Sequence, residues 1–347
     1  MALRLCPFVA LMLVVPLVGQ TGAKGEPTAS STVMASEDSE LAALRKKAGQ
    51  GDAEAQVALG LRYARGQGVP KDLPTALEWY RKAADQANAT GQWYVGNFYN
   101  NGTVIPKDQV AAVKWYRMAA GQGDPRAQVS LSFAYRNGEG VPENLEESIK
   151  WLRKAAEQGY SNAEWGLGVA YSCSTLGLPE DRAESFKWYL RAARKGYPGA
   201  ISPVVTAYSR GLGVPEDQAE AARWVRKAAD LGILWAMLEL GQRFEKGRGV
   251  QMNAAEAMVW YQKSADLGYH MAQFELGRHY LNGVLVPQDQ TEAYVWFNLA
   301  AASCSACQDF QKTRDETAKL LSPQGLEQAQ ARVRRLQEEI QSRIGKR

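Results

Sequence analysis

The sequence contains little histidine: His270 and His279 are the only two in 347 residues. Their nine-residue separation points the two side chains in nearly opposite directions on a helix, at about 100° per residue, which excludes a paired helical metal site. The chain also lacks the glycine-rich phosphate loops of nucleotide-binding proteins and the serine–lysine motifs of penicillin-recognising enzymes. With no catalytic constellation in the sequence, we predict a protein without enzymatic activity, metal or cofactor.

The sequence has only a small excess of positive over negative charge. The formal net charge is +4, and residues 311–347, with nine Lys or Arg against five Asp or Glu, account for all of it. Proteins that bind nucleic acid carry a basic stripe along their contact surface. The balanced charge of the remaining residues therefore argues against a nucleic-acid partner.

Long apolar runs are absent apart from one near the N-terminus. Leu5–Val18 form a 14-residue apolar run that follows Arg4 and precedes small residues at 21–23. This pattern predicts an export signal over residues 1–23, cleaved near Ala23, and hence a periplasmic or secreted protein without stable membrane insertion. The alternative is an uncleaved N-terminal segment that tethers the protein to a membrane, although about 20 apolar residues are needed to span one comfortably.

The sequence has instead a period of about 36 residues, marked by tryptophan. Six successive intervals of 36, 36, 37, 36, 36 and 36 residues separate Trp79, Trp115, Trp151, Trp188, Trp224, Trp260 and Trp296. A repeat of this length is a supersecondary unit that buries its apolar face only by stacking on its neighbours. We therefore predict seven repeats, at 53–88, 89–124, 125–160, 161–197, 198–233, 234–269 and 270–305.

Each repeat is predicted to contain two helices, which we name helix A and helix B. In the first repeat Ala55, Leu59 and Tyr63 lie four residues apart on one face of helix A, and Gly66–Pro70 end that helix. Asp72 then caps helix B, and every later repeat has Asp or Asn at this position. The seven tryptophans that mark the period are predicted to belong to the stacked core.

Thirteen positions of the first repeat recur along the chain. They are Ala55, Leu59, Gly60, Tyr63, Gly66, Gly68, Val69, Asp72, Ala76, Trp79, Tyr80, Ala83 and Ala84. The pattern resembles the Sel1-like repeat, a relative of the tetratricopeptide repeat, and the resemblance covers residues 53–305. It implies an all-α fold, a right-handed α-solenoid of seven helix–turn–helix repeats, and a role in protein–protein contacts.

Two repeats depart from the pattern on helix A. Ser132 replaces the small glycine in the third repeat, and Val204–Val205 replace Leu-Gly in the fifth. Pro203 predicts that helix A of the fifth repeat starts late or is kinked. These changes are interpreted either as a bend in the array or as neutral drift.

Segments outside the repeats are predicted to protect the ends of the array. Residues 24–39, rich in small and polar types, are predicted to be a flexible leader, and residues 40–52 an N-terminal half-repeat cap. Residues 306–347 are predicted to form C-terminal capping helices. The apolar stripe of the last helix covers the seventh repeat in this interpretation, and the alternative is association with a partner; the stripe comprises Leu326, Ala329, Val333, Leu336 and Ile340.

The resemblance also predicts where a partner binds. In tetratricopeptide arrays helix A lines the concave groove, and the corresponding positions here carry aromatic, amide and arginine side chains suited to a peptide backbone or carboxylate. For Trp93 and Trp165, packing between neighbouring A helices is the alternative role. The predicted groove residues are Leu61, Trp93, Asn97, Asn101, Phe133, Asn137, Trp165, Arg210, Trp235, Gln242 and Arg278.

The predicted function is an exported, non-enzymatic scaffold that binds a protein or peptide partner in this groove. One alternative is recognition of an envelope polysaccharide or peptidoglycan by the same groove. Another is a redox protein that uses the CxxC motif of Cys304 and Cys307. For these cysteines we predict a short local disulfide, with free thiols, redox chemistry and metal binding as alternatives.

Overall fold

The computed structural model describes residues 31–174, 177–304 and 306–345, with side chains from residue 39 onward. These ranges contain 17 α-helices and no strand. The helices are α1 Ser31–Gly49, α2 Ala53–Arg65, α3 Leu73–Asp85, α4 Ala89–Asn101, α5 Gln109–Gly121, α6 Pro125–Asn137, α7 Leu145–Glu157, α8 Ser161–Ser172, α9 Arg182–Arg194, α10 Pro198–Arg210, α11 Gln218–Asp230, α12 Leu234–Lys246, α13 Ala254–Ala265, α14 His270–Asn282, α15 Gln290–Ser303, α16 Gln308–Ala318 and α17 Pro323–Gly345.

The predicted all-α solenoid is confirmed: helices A and B of the seven repeats are α2 to α15 in sequence order. The chain divides into two compact units, and the boundary falls between Ala200 and Ile201 within α10. The first contains α1 to α9, and the second contains α11 to α17. No helix within the described ranges is long and apolar enough to cross a membrane.

The N-terminal predictions are tested only in part. Residues 1–23, the predicted export signal, and residues 24–30 lie outside the described residues. The described part of the predicted flexible leader, from Ser31 onward, belongs to α1 in the structure. Residues 31–49 include Met, Ala, Glu and Leu, which favour helix. The buried side chains of Leu41 and Ala48 on α1 then pack with the core of the first repeat.

The helix ends follow from short-range hydrogen bonds. Asp72 Oδ1 accepts a hydrogen bond from the backbone N–H of Thr75 at 3.1 Å, and Oδ2 accepts one from the Thr75 hydroxyl at 2.7 Å. These bonds stabilise the carboxylate and lower the pKa of Asp72. The side chain of Asp or Asn caps helix B in the same way in the other six repeats: Asp108, Asn144, Asp181, Asp217, Asn253 and Asp289.

A glycine on helix A faces an aromatic ring of helix B in five repeats. A Cβ placed on Gly277 would lie 2.6 Å from ring carbons of Phe297, and one on Gly241 would lie 2.7 Å from the ring of Tyr261. Such distances are shorter than any ordinary carbon contact, so only glycine fits against these rings. The same arrangement pairs Gly60 with Tyr80, Gly96 with Tyr116 and Gly168 with Tyr189.

The two repeats without this glycine also lack the aromatic ring. In the third repeat Ser132 replaces the glycine, and Leu152 occupies the position of the ring. Ser132 and Ser148 join the two helices through hydroxyl oxygens 3.0 Å apart. In the fifth repeat the two positions hold Val205 and Val225, both buried. A larger side chain on helix A thus coincides with a smaller one on helix B, so these departures are paired changes.

Helix A of the fifth repeat, α10, was predicted from Pro203 to start late or to be kinked. It does not start late, because α10 begins at Pro198, the position that corresponds to the start of α2, and both helices have 13 residues. Proline is common at the first position of a helix, because the backbone N–H that it lacks would have no hydrogen-bond partner within the helix there. Pro203 lies inside this helix.

The periodic tryptophans are less buried than predicted. Trp260 and Trp296 are buried, whereas the other five are half-buried at the edge of the core. The residue that follows the tryptophan, for example Tyr80, is fully buried in its place. In five repeats a Lys or Arg three residues later lies over the indole ring, with Lys82 4.1 Å from the Trp79 centroid. These cation–π contacts shield the outer part of the rings.

The C-terminal stripe is used inside the second compact unit. Ala329, Val333 and Ile340 are buried, and α17 packs against α15. Arg332 forms an ion pair with Glu292 on α15 at 2.7 Å. Three of the five stripe residues are thus covered by the protein itself, whereas Leu326 and Leu336 are half-buried.

Candidate functional site

A cavity of about 430 Å³ lies in the second compact unit, among helix A of the fifth repeat, helix A of the sixth and their connecting segments. Arg210 and Trp235, two residues of the predicted groove, both line it. The residues around the cavity are Ser202, Val205, Thr206, Ser209, Arg210, Gln218, Trp235, Glu239, Arg243 and Arg248. The structure thus brings a predicted arginine and a predicted tryptophan to one concave site.

Arg243 joins the walls of this cavity and is almost completely buried. Its Nη2 donates a hydrogen bond to the Ser209 hydroxyl at 2.8 Å, and its Nε donates one to Glu239 Oε1 at 3.0 Å. Nη1 lies 3.4 Å from the carbonyl oxygens of Gln218 and Arg248. Because these bonds connect α10, α11, α12 and the following loop, Arg243 fixes the shape of the cavity.

The cavity carries a surplus of positive charge. Glu239 balances the charge of Arg243 in a 3.0 Å ion pair. Arg210 and Arg248 form no ion pair with any residue in the described part of the chain, and both side chains are exposed. Two arginines beside a half-buried indole can bind a carboxylate while the ring supplies apolar contact area.

Trp93, in the first compact unit, is held between neighbouring A helices. Its Nε1 donates a hydrogen bond to Ser130 Oγ at 3.1 Å, and the Arg126 guanidinium lies 4.8 Å from its ring centroid. Arg126 is itself paired with the buried carboxylate of Asp124. Burial opposes the charge of Arg126, but the hydrogen bond and charge of Asp124 raise its pKa overall. These contacts favour the packing role for Trp93 over an open contact.

Trp165, a predicted groove residue, lies in the core of its repeat in the structure. Only 7% of it is exposed, and its ring lies 5.7 Å from that of Tyr197. Its indole is also close to Gly199, where an added Cβ would lie 3.5 Å from Nε1. Tyr197 precedes the next helix A and covers the indole, so these contacts favour the packing role for Trp165.

The other predicted groove residues differ in how open they are. Leu61 and Phe133 are half-buried against the cores of their repeats. Asn97 accepts a hydrogen bond from the hydroxyl of Tyr116 at 2.7 Å, which gives it a structural role. Exposed side chains are found at Asn101, the last residue of α4, at Asn137, the last residue of α6, and at Arg278, which pairs with Glu275; Gln242 is half-buried.

Comparison with known proteins identifies the family. The Sel1 repeat model matches residues 53–88, 89–124, 125–160, 161–197, 206–233, 236–269 and 270–303, which is more than half of the chain. The chain is a Sel1-repeat protein. Proteins built from Sel1 repeats generally mediate protein–protein interactions and generally serve as non-enzymatic scaffolds.

Two solved structures are similar to this Sel1-repeat protein. A Sel1 repeat protein from Oxalobacter formigenes is 32% identical, with a TM-score of 0.52, over 62% of this chain and 86% of that one. The protective antigen c5321 of uropathogenic Escherichia coli, which has the SLR fold, is 24% identical, with a TM-score of 0.50, over 88% of this chain and 96% of that one. No curated protein sequence matches the chain.

Arg243 is a candidate functional residue that was not predicted from the sequence. The corresponding position is apolar in four repeats, with Phe98, Ala134, Ala170 and Ala207, but it holds Arg62 in the first repeat and His279 in the seventh. A buried charge requires several partners, and partners drawn from different helices mark a site where those helices meet. Because Arg62 and His279 occupy the same position in other repeats, the sequence alone does not single out Arg243 as part of the cavity of this Sel1-repeat protein.

His279 occupies the same repeat position as Arg243, one repeat later. Its ring stacks on Tyr261 at 5.2 Å, and its Nε2 is 3.7 Å from a carboxylate oxygen of Glu245. Burial lowers the pKa of His279; Glu245 and Glu275 oppose this shift, and Arg278 adds to it. The neutral form is therefore the one that the fold favours.

Acidification is expected to destabilise the second compact unit through His279. Because its folded pKa lies below the unfolded value of about 6.5, the unfolded chain binds the proton more readily, and stability is lost as pH falls below that value. The loss cannot exceed about 1.4 kcal/mol per pH unit for one group. Replacing His279 with Phe, the residue at position 98, should remove this contribution in urea unfolding measured from pH 8 to about 5. Equal pH slopes for both proteins would contradict the assignment.

Proposed function

We propose that this Sel1-repeat protein is an exported, non-enzymatic adaptor that binds a protein or peptide partner on its helix-A face. The centre of the proposed surface is the cavity beside Trp235 in the second compact unit. The observation that carries the proposal is the combination of an indole with two arginines, Arg210 and Arg248, that lack an ion-pair partner in the described part of the chain. The family's general role in protein–protein interaction supports it.

The chemistry of the cavity favours a partner with a carboxylate. Arginine forms bidentate hydrogen bonds with carboxylates, and tryptophan and arginine are the residue types that most often dominate binding energy at interfaces. The hydrogen bonds of Arg243 hold together the helices that carry these side chains, which lowers the cost of ordering the backbone around a partner. A peptide that presents Asp, Glu or its own C-terminal carboxylate next to an apolar side chain fits this arrangement.

The first compact unit contributes a separate part of the proposed surface. Its exposed amides, Asn101 and Asn137, and the half-buried Phe133 offer hydrogen bonds and apolar area to an extended chain. Gln242 and Arg278 extend the proposed surface within the second compact unit. Trp93 and Trp165 are omitted, because their rings are occupied by contacts within the protein.

Selection from a random peptide library on the immobilised full-length protein tests the proposal. We expect enriched peptides to be acidic and to lose at least about tenfold in affinity when Trp235 and Arg210 are both replaced with Ala. The matched control is Arg223→Ala, an exposed arginine on helix B of the same repeat as Arg210, which should leave the affinity unchanged. Calorimetric titration of the selected peptides measures both values.

Two results would contradict the proposed site. One is the absence of any enriched peptide, and the other is equal affinity of the peptides for the double variant and the wild type. Loss of affinity in the Arg223→Ala control as well would show that binding depends on general positive charge and not on the cavity.

A further inference from the structure

Three metal-binding side chains converge at the end of the seventh repeat. The ligand atoms of His270, Cys304 and Cys307 all lie within 4.8 Å of one another. His270 is the first residue of α14, Cys304 follows the end of α15, and Cys307 precedes α16. In the structure the two cysteines form a disulfide, with their Cα atoms 5.4 Å apart.

The surroundings of this cluster are apolar on one side and open on the other. The rings of Phe274 and Phe310 stack with centroids 4.2 Å apart, and the His270 ring is 6.1 Å from that of Phe310. Phe310 is buried, whereas His270 and the two cysteines are half-buried. A bound ion would thus have protein on one side and an exchangeable ligand position on the other.

His270 is not required by the repeat. The first residue of helix A in the preceding repeats is Ala, Ala, Pro, Ser, Pro and Leu, none of which is a common ligand of Zn²⁺. The N-cap residue of α14, Tyr269, makes no side-chain capping hydrogen bond. His270 belongs to the seventh repeat, and the CxxC motif of Cys304 and Cys307 follows helix B of this same repeat.

We propose that reduction of the Cys304–Cys307 disulfide creates a Zn²⁺ site formed by both thiolates and the His270 imidazole. Zn–S distances near 2.3 Å and Zn–N distances near 2.0 Å require ligand atoms about 3.7 Å apart in a tetrahedral site. The cluster already holds its three donors within 4.8 Å, so modest side-chain rotation is sufficient. Water completes the coordination at the open position. Sulfur and imidazole ligands select Zn²⁺ over Mg²⁺ or Ca²⁺.

The redox step balances with a dithiol reductant. The dithiol supplies two electrons and two protons, the Sγ–Sγ bond breaks, Cys304 and Cys307 become thiols, and the reductant becomes a disulfide. Binding of Zn²⁺ then releases the two thiol protons as both sulfurs become thiolates. Disulfide and metal are alternative occupants of the same pair of cysteines, so the site exists only in the reduced protein.

Cobalt titration of the full-length protein tests the site, because Co²⁺ occupies zinc sites and gives a thiolate charge-transfer absorption. A phosphine reductant opens the disulfide by taking oxygen from water, which supplies the two protons. We expect one Co²⁺ per reduced chain, displaced by Zn²⁺, and no charge-transfer band in the oxidised protein. Cys307→Ser should abolish the band, and His270→Gln should weaken the affinity by at least about tenfold.

Controls distinguish the site from general thiol binding. His270 is half-buried at a helix start, so His270→Gln is expected to keep the helical circular dichroism of the wild type. Cys173→Ser, which changes a cysteine of the first compact unit, should retain the full band and stoichiometry. Absence of the band in the reduced wild type, its loss in Cys173→Ser, or unchanged affinity in folded His270→Gln would each overturn the proposal.

Discussion

Replacing Gly277 with Val is expected to lower the free energy of unfolding by about 3 kcal/mol, because the new side chain has no room beside Phe297. Even a single Cβ at this position would lie 2.6 Å from two ring carbons. Phe297 is fully buried, so the ring cannot move toward solvent without exposing apolar surface. Replacing Phe297 with Val in the otherwise unchanged protein is expected to cost about 3 kcal/mol through the cavity it leaves.

The double variant Gly277→Val with Phe297→Val reproduces the natural pair Val205 and Val225 of the fifth repeat. Its destabilisation should be smaller than the sum of the two single changes by about 1–3 kcal/mol. Phe297→Val makes room for the larger side chain at position 277, and Gly277→Val fills part of the cavity left at position 297. Urea unfolding followed by circular dichroism measures the four proteins of this cycle.

Gly121 provides the control for glycine replacement itself. It is the last residue of α5, and an added Cβ would meet no atom within 4 Å. Gly121→Val should therefore change stability by no more than about 0.5 kcal/mol. Strict additivity in the Gly277 and Phe297 cycle would show that the paired changes in the third and fifth repeats are independent drift.

The 36-residue period predicted the fold because the residues that start and end the helices recur at the same positions of the repeats. Asp72 and its equivalents start helix B, and the glycines at the turn end helix A, so the helix boundaries follow from adjacent residues alone. The exposure of the periodic tryptophans was harder to predict. Both Trp79 and Tyr80 belong to the repeated pattern, and only the packing of the helices shows that the tyrosine is the buried member.

The candidate sites depend on contacts between repeats, which a periodic pattern does not specify. Arg210 and Trp235 were predicted separately, but their common cavity requires Arg243 to hold neighbouring helices together. His270 was set aside as a metal ligand because His279 points the other way on the same helix. The cysteines that it meets lie on either side of the connection between α15 and α16, more than 30 residues away in sequence.

A glutamine pair joins successive helices in each of the first three repeats. The amide of Gln86 donates a hydrogen bond to Gln56 at 2.8 Å, and the same distance joins Gln122 to Gln92 and Gln158 to Gln128. In the fourth repeat the equivalent pair is charged: Lys195 Nζ donates to Glu164 Oε1 at 2.7 Å. Arg191 also contacts Glu164, whose side chain is completely buried.

Lys195→Gln is expected to destabilise the first compact unit by about 2 kcal/mol. Removing one partner of a buried ion pair typically costs about 3–5 kcal/mol, because the other charge stays buried without compensation. The cost here is lower because Arg191 remains, and because nearly half of each cationic side chain is exposed to solvent. Glu164 Oε2 has no hydrogen-bond partner in the described part of the chain. When Lys195 is replaced, Arg191 is therefore the only cation left to pair with this buried carboxylate in the described part of the chain.

Glu164→Gln combined with Lys195→Gln should return stability to within about 0.5 kcal/mol of the wild type. The double change rebuilds the neutral pair of the first three repeats, and a satisfied neutral pair commonly replaces a buried ion pair without loss. Lys150→Gln, which breaks an exposed ion pair with Glu147, is the matched control and should cost less than about 0.5 kcal/mol. If the double variant were as unstable as Lys195→Gln alone, the charge itself would be the stabilising element, and the fourth repeat would differ in kind from the first three.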